Sequence, residues 1–223
     1  MLPETETLQT HTLRAFTLLL QTRPNYAGTL ILNINLNEEG TALALASNIA
    51  GAVCLTLEPN PTLLRNAMRN GACDFVVNTL DEALRAMKNE IRQHRPLSVG
   101  LEGNPETILQ EILERGVLPQ LFTNRTRKQT ATAFLSQGAI TLNQKAASPP
   151  NPQWQLQTFT FNTPTELSAF DTRALNLLPP EDTLRRRWLQ TAPRILHREQ
   201  PLHRTLWLNA QEKQGLEVHF PSV

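Results

Sequence analysis

The chain has 223 residues, a formal net charge of +1 and a hydrophobic fraction of 40%. This length can bury one substantial core, or one core with a small annex, and so little net charge provides no overall field to attract nucleic acid. The longest apolar runs are too short to cross a bilayer, and no basic segment followed by an apolar one opens the sequence. We therefore expect a cytoplasmic protein that binds neither nucleic acid nor a membrane.

Cysteine and histidine usage gives no sign of a metal centre. Cys54 and Cys73 both lie in apolar, strand-like runs, where free cysteine is usually buried and inert. His197 and His203 are the only histidines with a spacing close to that of metal ligands, and they lack nearby acidic or cysteine partners in the sequence. We expect two structural thiols and no bound metal.

The chain opens with an amphipathic helix predicted over residues 5–23, which Pro24 ends. A regular alternation of apolar strands and helices follows. Strand candidates begin near Thr29, Ala52, Asp74, Leu97 and Gln120. Each begins about one strand–helix unit after the previous one, which is typical of a parallel sheet.

The predicted helices between these strands have clear start signals. Asn60 and Asn104 are each followed by proline, which combines an N-cap residue with proline at the first helical position. Thr79 and Glu82 form a T-x-x-E capping box. These signals predict helices that start at known points along the chain.

Strands that are apolar throughout and alternate with amphipathic helices indicate a sheet covered on both faces. We predict an α/β fold, a Rossmann-like doubly wound parallel sheet of about five strands, within residues 1–127. Residues 128–153 include the run AASPPNPQ and are assigned as a linker. Residues 154–223 are predicted to be a small, mostly helical C-terminal appendage that packs on the sheet domain or on a second subunit.

The stretch from Gly28 to Glu58 has the outline of a nucleotide-binding β-α-β unit. Its loop, residues 37–41, reads Asn-Glu-Glu-Gly-Thr and has one glycine where such loops usually have three. Two carboxylates at about 4 Å from phosphate oxygens would each cost about 1 kcal/mol in water and more when shielded. We expect a solvated turn that caps its own helix, with Glu38 or Glu39 at the positive helix end. Glu58 follows Gly40 by the distance at which an acid holds a ribose hydroxyl.

Two blocks of sequence resemble a known family. The segments AGAVCLTLE, TLDEALRAM and LSVGLEGNPETILQEILERGVLPQLFTNRT, between residues 50 and 126, resemble the NAD-binding domain of urocanase (urocanate hydratase). Residues 177–208 resemble a later urocanase segment that returns to the catalytic core. The resemblance implies a domain that holds NAD tightly, with NAD acting as an electrophile while water is added to urocanate in histidine degradation. It also implies a cytoplasmic homodimer.

Carried over by residue, the resemblance implies four cofactor-binding positions: Gly40 of the glycine loop, Glu58 after the second strand, Asn104 of a G-N-A loop and Thr126 of a D-Q-T-S-A-H loop. Other family residues are absent. The arginine beyond the acid falls on Leu63, and the active-site cysteine of an R-I-C-W motif falls on Leu206. Urocanase is also considerably longer, and its core segments have no counterpart in this sequence.

Three interpretations remain open. The first is a catalytically degenerate urocanase relative, with no catalytic residue and no cofactor, that keeps the NAD-domain scaffold as a binding or interaction module in a homodimer or with another chain. The alternative is an NAD-dependent urocanate hydratase subunit whose core comes from a partner chain. The third is a site for a different acidic metabolite at Arg125, Arg127 and Lys128, beside the carboxyl ends of the strands.

Overall fold

The computed structural model describes residues 7–123, 128–143, 148–198, 201–218 and 220. The strands are β1 (Leu30–Ile34), β2 (Val53–Glu58), β3 (Phe75–Val77), β4 (Leu97–Glu102), β5 (Leu121–Thr123), β6 (Ile140–Leu142), β7 (Gln155–Thr160) and β8 (His203–Leu208). The helices are α1 (Leu8–Thr22), α2 (Glu38–Ile49), α3 (Pro61–Asn70), α4 (Leu80–Gln93), α5 (Pro105–Glu114), α6 (Lys128–Ser136), α7 (Pro164–Leu177), α8 (Thr183–Ile195) and α9 (Ala210–Glu217). In these ranges no helix is long and apolar enough to span a membrane.

The main sheet confirms the predicted doubly wound α/β fold. Its strands run in the order β3-β4-β2-β1-β5-β6, and all of its neighbouring pairs are parallel. The sixth strand, β6, lies in residues that we had assigned to a linker, so the linker prediction for residues 128–142 is corrected. The strand has three residues and two of them are exposed at the sheet edge, so its apolar pattern is too short to predict.

The helix start signals read from the sequence are confirmed. Asn60 and Asn104 accept hydrogen bonds from backbone N–H groups in the first turns of α3 and α5. Thr79 and Glu82 form a complete capping box at α4. Gly71 ends α3 in the left-handed conformation, with φ of +84°, where a side chain would be strained. The lengths of these helices therefore follow from local sequence.

Helices cover the sheet on both faces. Leu32 of β1 packs with residues of α4, α5 and α6 on one side. Ile31 points to the opposite side and packs with residues of α1 and α2. Because successive residues of a strand face opposite sides, an apolar run such as β1 contributes to both cores.

The C-terminal region packs on the sheet domain, on the side of α1 and α2. This is one of the two arrangements that we predicted, the other being packing on a second subunit. It consists of α7, α8, α9 and an antiparallel pair, β7 with β8. Trp188 packs on Phe16 of α1 with ring centroids 5.6 Å apart. The Trp207 indole N–H donates to Thr17 Oγ1 at 2.9 Å, and the Gln9 side chain amide bonds to the backbone of β8. These buried polar contacts set the position of β8 against α1.

The arginine run at residues 185–187 has a structural role. Arg185 is 2% exposed and bonds to the carboxylates of Asp182 and Glu212. Arg186 donates to two carbonyl groups at the end of α7, and Arg187 donates to Ala50 O at the end of α2. Each guanidinium offers several donors in a fixed geometry, so the run joins α7, α8, α9 and the sheet domain.

Candidate functional site

A hollow lies at the carboxyl ends of β1, β2 and β4, the edge where open α/β sheets bind ligands. Its volume is about 570 Å³. Its lining residues come from the ends of those strands and from the start of α5: Ile34, Pro59, Glu102, Gly103, Asn104, Pro105, Glu106 and Leu109. We call this hollow the strand-end crevice.

The β1–α2 loop beside the crevice closes on itself. Asn35 adopts the left-handed conformation with φ of +65°, and its side chain oxygen accepts from Asn37 N at 3.2 Å. Asn37 is the N-cap of α2 and accepts from Gly40 N at 2.9 Å. The loop therefore caps its own helix, as expected, but Asn37 is the cap and not Glu38 or Glu39, because the N-cap must precede the first helical residue in extended backbone.

Glu58 makes two hydrogen bonds to backbone amides. Its Oε2 accepts from Leu36 N in the β1–α2 loop at 2.7 Å, and its Oε1 accepts from Asn60 N at 2.8 Å. The residue is 2% exposed. The acid predicted to hold a ribose hydroxyl instead ties the loop after β1 to the exit of β2, with both oxygens bonded and almost no surface open to a ligand.

Gly40 serves the packing of α2 against its own loop. A Cβ at this position would lie 2.1 Å from the carbonyl oxygen of Asn35, closer than any real contact allows. The Gly40 carbonyl also accepts from the buried amide of Asn33 at 2.9 Å. We did not predict the role of Asn33, although a polar residue at the centre of an apolar strand is a signal that could have revealed it.

Asn104 is the predicted site residue with the most open position. It lines the strand-end crevice and caps α5, its side chain oxygen accepting from Glu106 N at 2.9 Å. Its side chain N–H₂ makes no hydrogen bond to a residue that the structure describes. A backbone bond from Gly103 N to Glu58 O, 3.2 Å long, brings Asn104 close to the end of β2. Gly40, in contrast, does not line the crevice.

Thr126, the fourth predicted cofactor-binding residue, lies outside the described residues, as do Arg125 and Arg127 of the predicted basic cluster. Lys128 is described, as the exposed first residue of α6. The predictions for Thr126 and for an anion site at this cluster remain predictions.

The two charged residues in the described lining of the crevice are both acidic. Glu102 is the register partner of Glu58 on the adjacent strand and lines the crevice with Glu106. Glu38 and Glu39 form the first turn of α2 nearby. No described lining residue is basic. Because like charges repel, this arrangement disfavours a phosphate group at the crevice.

The nucleophiles that the sequence offered are buried. Burial raises the pKa of the Cys54 thiol to about 11 and that of Cys73 to about 12, so neither forms a thiolate near neutral pH. Leu206 is fully buried in β8 and provides only apolar packing. Among the described residues no group of three histidine, cysteine or acidic side chains could hold a metal ion.

A doubly wound parallel sheet, with a crevice at the strand ends and a short turn from β1 to α2 beside it, defines a Rossmann-like α/β domain. The family model described as the Urocanase Rossmann-like domain matches residues 7–154. The match covers more than half of the chain, so the chain belongs to the urocanase family. It also extends through α6 and β6, which agrees with their place in the sheet.

In this family the matched domain is the one that binds NAD. The described residues do not fit that cofactor. Of the backbone N–H groups that a pyrophosphate would need in the β1–α2 turn, those of Leu36, Asn37 and Gly40 are bonded to side chains of this chain. The acid that should receive the ribose, Glu58, is buried and bonded.

Proposed function

We propose that this chain is a catalytically degenerate member of the urocanase family that keeps the NAD-domain scaffold as a cytoplasmic binding or interaction module, without NAD and without hydratase activity. One observation carries the proposal. Glu58 accepts hydrogen bonds from Leu36 N and Asn60 N while it is almost fully buried. Because the residue is 2% exposed, a ribose could reach this carboxylate only if the loop that covers it moved, and that movement would break these bonds.

The energy of those two bonds opposes NAD binding. A hydrogen bond to a charged group contributes about 1.5–3 kcal/mol. Releasing Glu58 from two backbone amides would therefore consume several kcal/mol of the binding energy of a ligand. It would also leave Leu36 N buried without an acceptor, unless the ligand supplied one.

The electrostatics of the turn add to this cost. The first turn of α2 carries Glu38 and Glu39, within the stretch where the family has its glycine-rich loop, and the crevice is lined by Glu102 and Glu106. The helix end offers only a partial positive charge to an anion. We therefore propose that the negative side chains exclude the pyrophosphate.

The proposed lack of hydratase activity is supported by Leu206. The family's active-site cysteine falls on this residue, which lies in β8 with its side chain in the apolar core. An isobutyl group can neither ionise nor exchange a proton. We propose that no residue of this chain replaces the lost thiol.

Association with a second chain, as a homodimer or with another protein, is part of the proposal. Its support is the open edge of the sheet at β6, where Ile140 is 40% exposed and Leu135 of the preceding helix is 50% exposed. Exposed apolar residues at an unpaired strand edge favour contact with another chain. Light scattering on the purified chain tests this proposal and should give a mass above 25.1 kDa.

A second candidate is an NAD-dependent urocanate hydratase subunit of histidine degradation that works with a partner chain. It is favoured by the unbonded side chain N–H₂ of Asn104 in a crevice of about 570 Å³, which is large enough for part of a dinucleotide. This candidate requires Glu58 to release the β1–α2 loop when NAD binds.

Titration with NAD separates the two candidates. We expect no binding heat and no rise in melting temperature when the purified chain is titrated with NAD, and no loss of urocanate when both are supplied. A saturable one-to-one heat with a rise in melting temperature would contradict the proposal.

A matched variant identifies the cause. If charge in the turn excludes the pyrophosphate, the double variant Glu38→Gln and Glu39→Gln should gain weak NAD binding, whereas a Glu111→Gln and Glu114→Gln variant on α5 should not. The control changes charge by the same amount at exposed or half-exposed positions away from the crevice lining.

A further inference from the structure

A second hollow lies in the C-terminal region, between α7 and the last turns of α8, beyond the residues that match the family model. Its volume is about 480 Å³, within the range of small-molecule sites. We call it the α7–α8 cleft. One face of α7, at Pro164, Leu167, Ser168, Asp171, Thr172 and Leu175, forms one wall.

The floor of the α7–α8 cleft is a buried ion pair. Arg204 of β8 donates from Nε to Asp171 Oδ1 at 2.7 Å and from Nη2 to Asp171 Oδ2 at 2.8 Å. Arg204 is 2% exposed and Asp171 is 8% exposed. Both residues line the cleft, so the pair is buried from bulk solvent and yet borders an open volume.

One nitrogen of the Arg204 guanidinium takes no part in the ion pair. Its hydrogen bonds use Nε and Nη2, and Nη1 bonds to no residue that the structure describes. A guanidinium has five N–H groups and no acceptor, and Nη1 is not among the described side-chain atoms that are both fully buried and without a partner, so it reaches open space. A buried cation with an unused donor at the floor of a hollow indicates that an acceptor enters from the cleft.

The walls show what kind of molecule carries that acceptor. The apolar part of the lining consists largely of leucines from α7, from α8 and its C-terminal end, and from the segment before β8: Leu167, Leu175, Leu189, Leu196 and Leu202. Among the described lining residues, only Ser168 and Thr172 carry hydroxyl groups, and both residues are exposed. A ligand for this cleft therefore has an apolar body and one polar end.

The charge of the lining residues indicates whether the ligand carries one negative charge or two. Asp171 already neutralises the charge of Arg204, and the other described lining residues include no arginine or lysine; two of them are histidines, His197 and His203. Each histidine bonds through Nδ1 to a backbone carbonyl. With so little net positive charge, the site fits a monoanion that takes a directed hydrogen bond, and it does not fit a phosphate dianion.

We propose that the α7–α8 cleft binds a small organic monocarboxylate, with its carboxylate accepting from Arg204 Nη1 and its apolar body between the leucines of α7 and α8. This site is separate from the strand-end crevice, and the proposal does not depend on whether NAD binds there. It gives the chain a ligand site made of residues that the sheet domain does not contain.

A titration with matched probes tests the proposal on the full-length chain. We expect 3-phenylpropanoate to shift backbone amide resonances of α7 and α8 in two-dimensional NMR spectra, with saturation. The alcohol of the same skeleton, 3-phenylpropan-1-ol, should bind at least 10-fold more weakly because it lacks the charged acceptor. Absence of saturable shifts, or equal affinity for acid and alcohol, would overturn the proposal.

Two tryptophan variants place the ligand. Thr172→Trp should fill the cleft from its exposed wall and lower the affinity for 3-phenylpropanoate at least 10-fold. Ala169→Trp adds the same side chain at an exposed position of α7 that does not line the cleft, and should leave the affinity unchanged. Circular dichroism checks the fold of each variant, and Ser168→Phe replaces Thr172→Trp if that variant does not fold. Unchanged affinity in the folded cleft variant would contradict the assignment.

Discussion

The two hollows of this molecule treat their polar groups in opposite ways. At the strand-end crevice, the backbone amides of the β1–α2 loop are bonded to the side chains of Asn35, Asn37 and Glu58. At the α7–α8 cleft, a buried arginine keeps a donor that no described residue uses. At the site expected from the family, the protein itself bonds these amides, whereas the cleft outside the family match keeps a donor for the ligand that we propose.

A buried carboxylate lies beside the crevice at Glu58 and in the lining of the cleft at Asp171, and the two are held by different means. Glu58 is bonded to neutral backbone N–H groups, and Asp171 is bonded to a cation. Burial raises the pKa of Asp171 despite the opposing effect of Arg204. The carboxylate of the cleft therefore depends on one partner, and variants of that partner should have the larger effect.

Arg204→Leu should give the largest loss of stability, because it leaves the Asp171 carboxylate buried without a cation. Breaking a buried pair in this way costs about 3–5 kcal/mol. Urea unfolding at neutral pH measures the loss. The double variant Arg204→Leu and Asp171→Leu should recover most of it, because it also removes the carboxylate that the single variant leaves without a cation. A double variant as unstable as the single one would show that packing of the arginine, and not its charge, stabilises the cleft.

The same pair predicts a pH dependence. Arg204→Leu removes the cation that opposes the rise in the pKa of Asp171, so this pKa rises further in the native state. The native state then binds a proton at a higher pH than the unfolded state. Native-state proton binding stabilises the protein as pH falls. The loss of stability in Arg204→Leu should therefore be smaller at pH 5 than at pH 8. An equal loss at both values would show that Asp171 is not the group responsible.

The fold could be predicted because its signals are local. N-cap pairs such as Asn60 with Pro61 and apolar runs such as Leu30–Ile34 specify elements by nearest-neighbour chemistry, and the structure confirms them. The three-residue strand β6 was missed, since its few residues are mostly exposed and its place depends on pairing with β5.

The site was harder to predict than the fold. Glu58 lies at the expected distance from Gly40, but the amides that it bonds belong to Leu36 and Asn60, and only the folded loop shows this. The pairing of Arg204 with Asp171 joins residues 33 positions apart and has no sequence pattern. The sequence indicated candidate residues near the carboxyl ends of the strands, but their hydrogen bonds depend on long-range contacts that no sequence pattern shows.

Gly40→Ala should give the next largest effect and tests how tightly the crevice side is packed. The added Cβ would lie 2.1 Å from the carbonyl oxygen of Asn35, so the loop or the helix must move. Overpacking against backbone costs about 3 kcal/mol, the upper end of the usual range. Gly215→Ala is the matched control, since this glycine is also helical and its nearest neighbouring atom is 3.9 Å away. The control should be neutral or stabilising by up to about 1 kcal/mol.

Glu58→Gln should cause the smallest loss of stability of these variants, and it tests most directly whether Glu58 holds the β1–α2 loop in place. The glutamine oxygen can accept from one of the two backbone amides, and its N–H₂ group then faces the other N–H, so we expect a loss of about 2 kcal/mol by urea unfolding. Glu102→Gln is the control at the same register on the adjacent strand, where the carboxylate is half-buried and bonds to no described residue. It should change stability by less than about 0.5 kcal/mol. If the two variants have equal effects, Glu58 does not lock the β1–α2 loop, and the crevice would be as open to a ligand as the cleft.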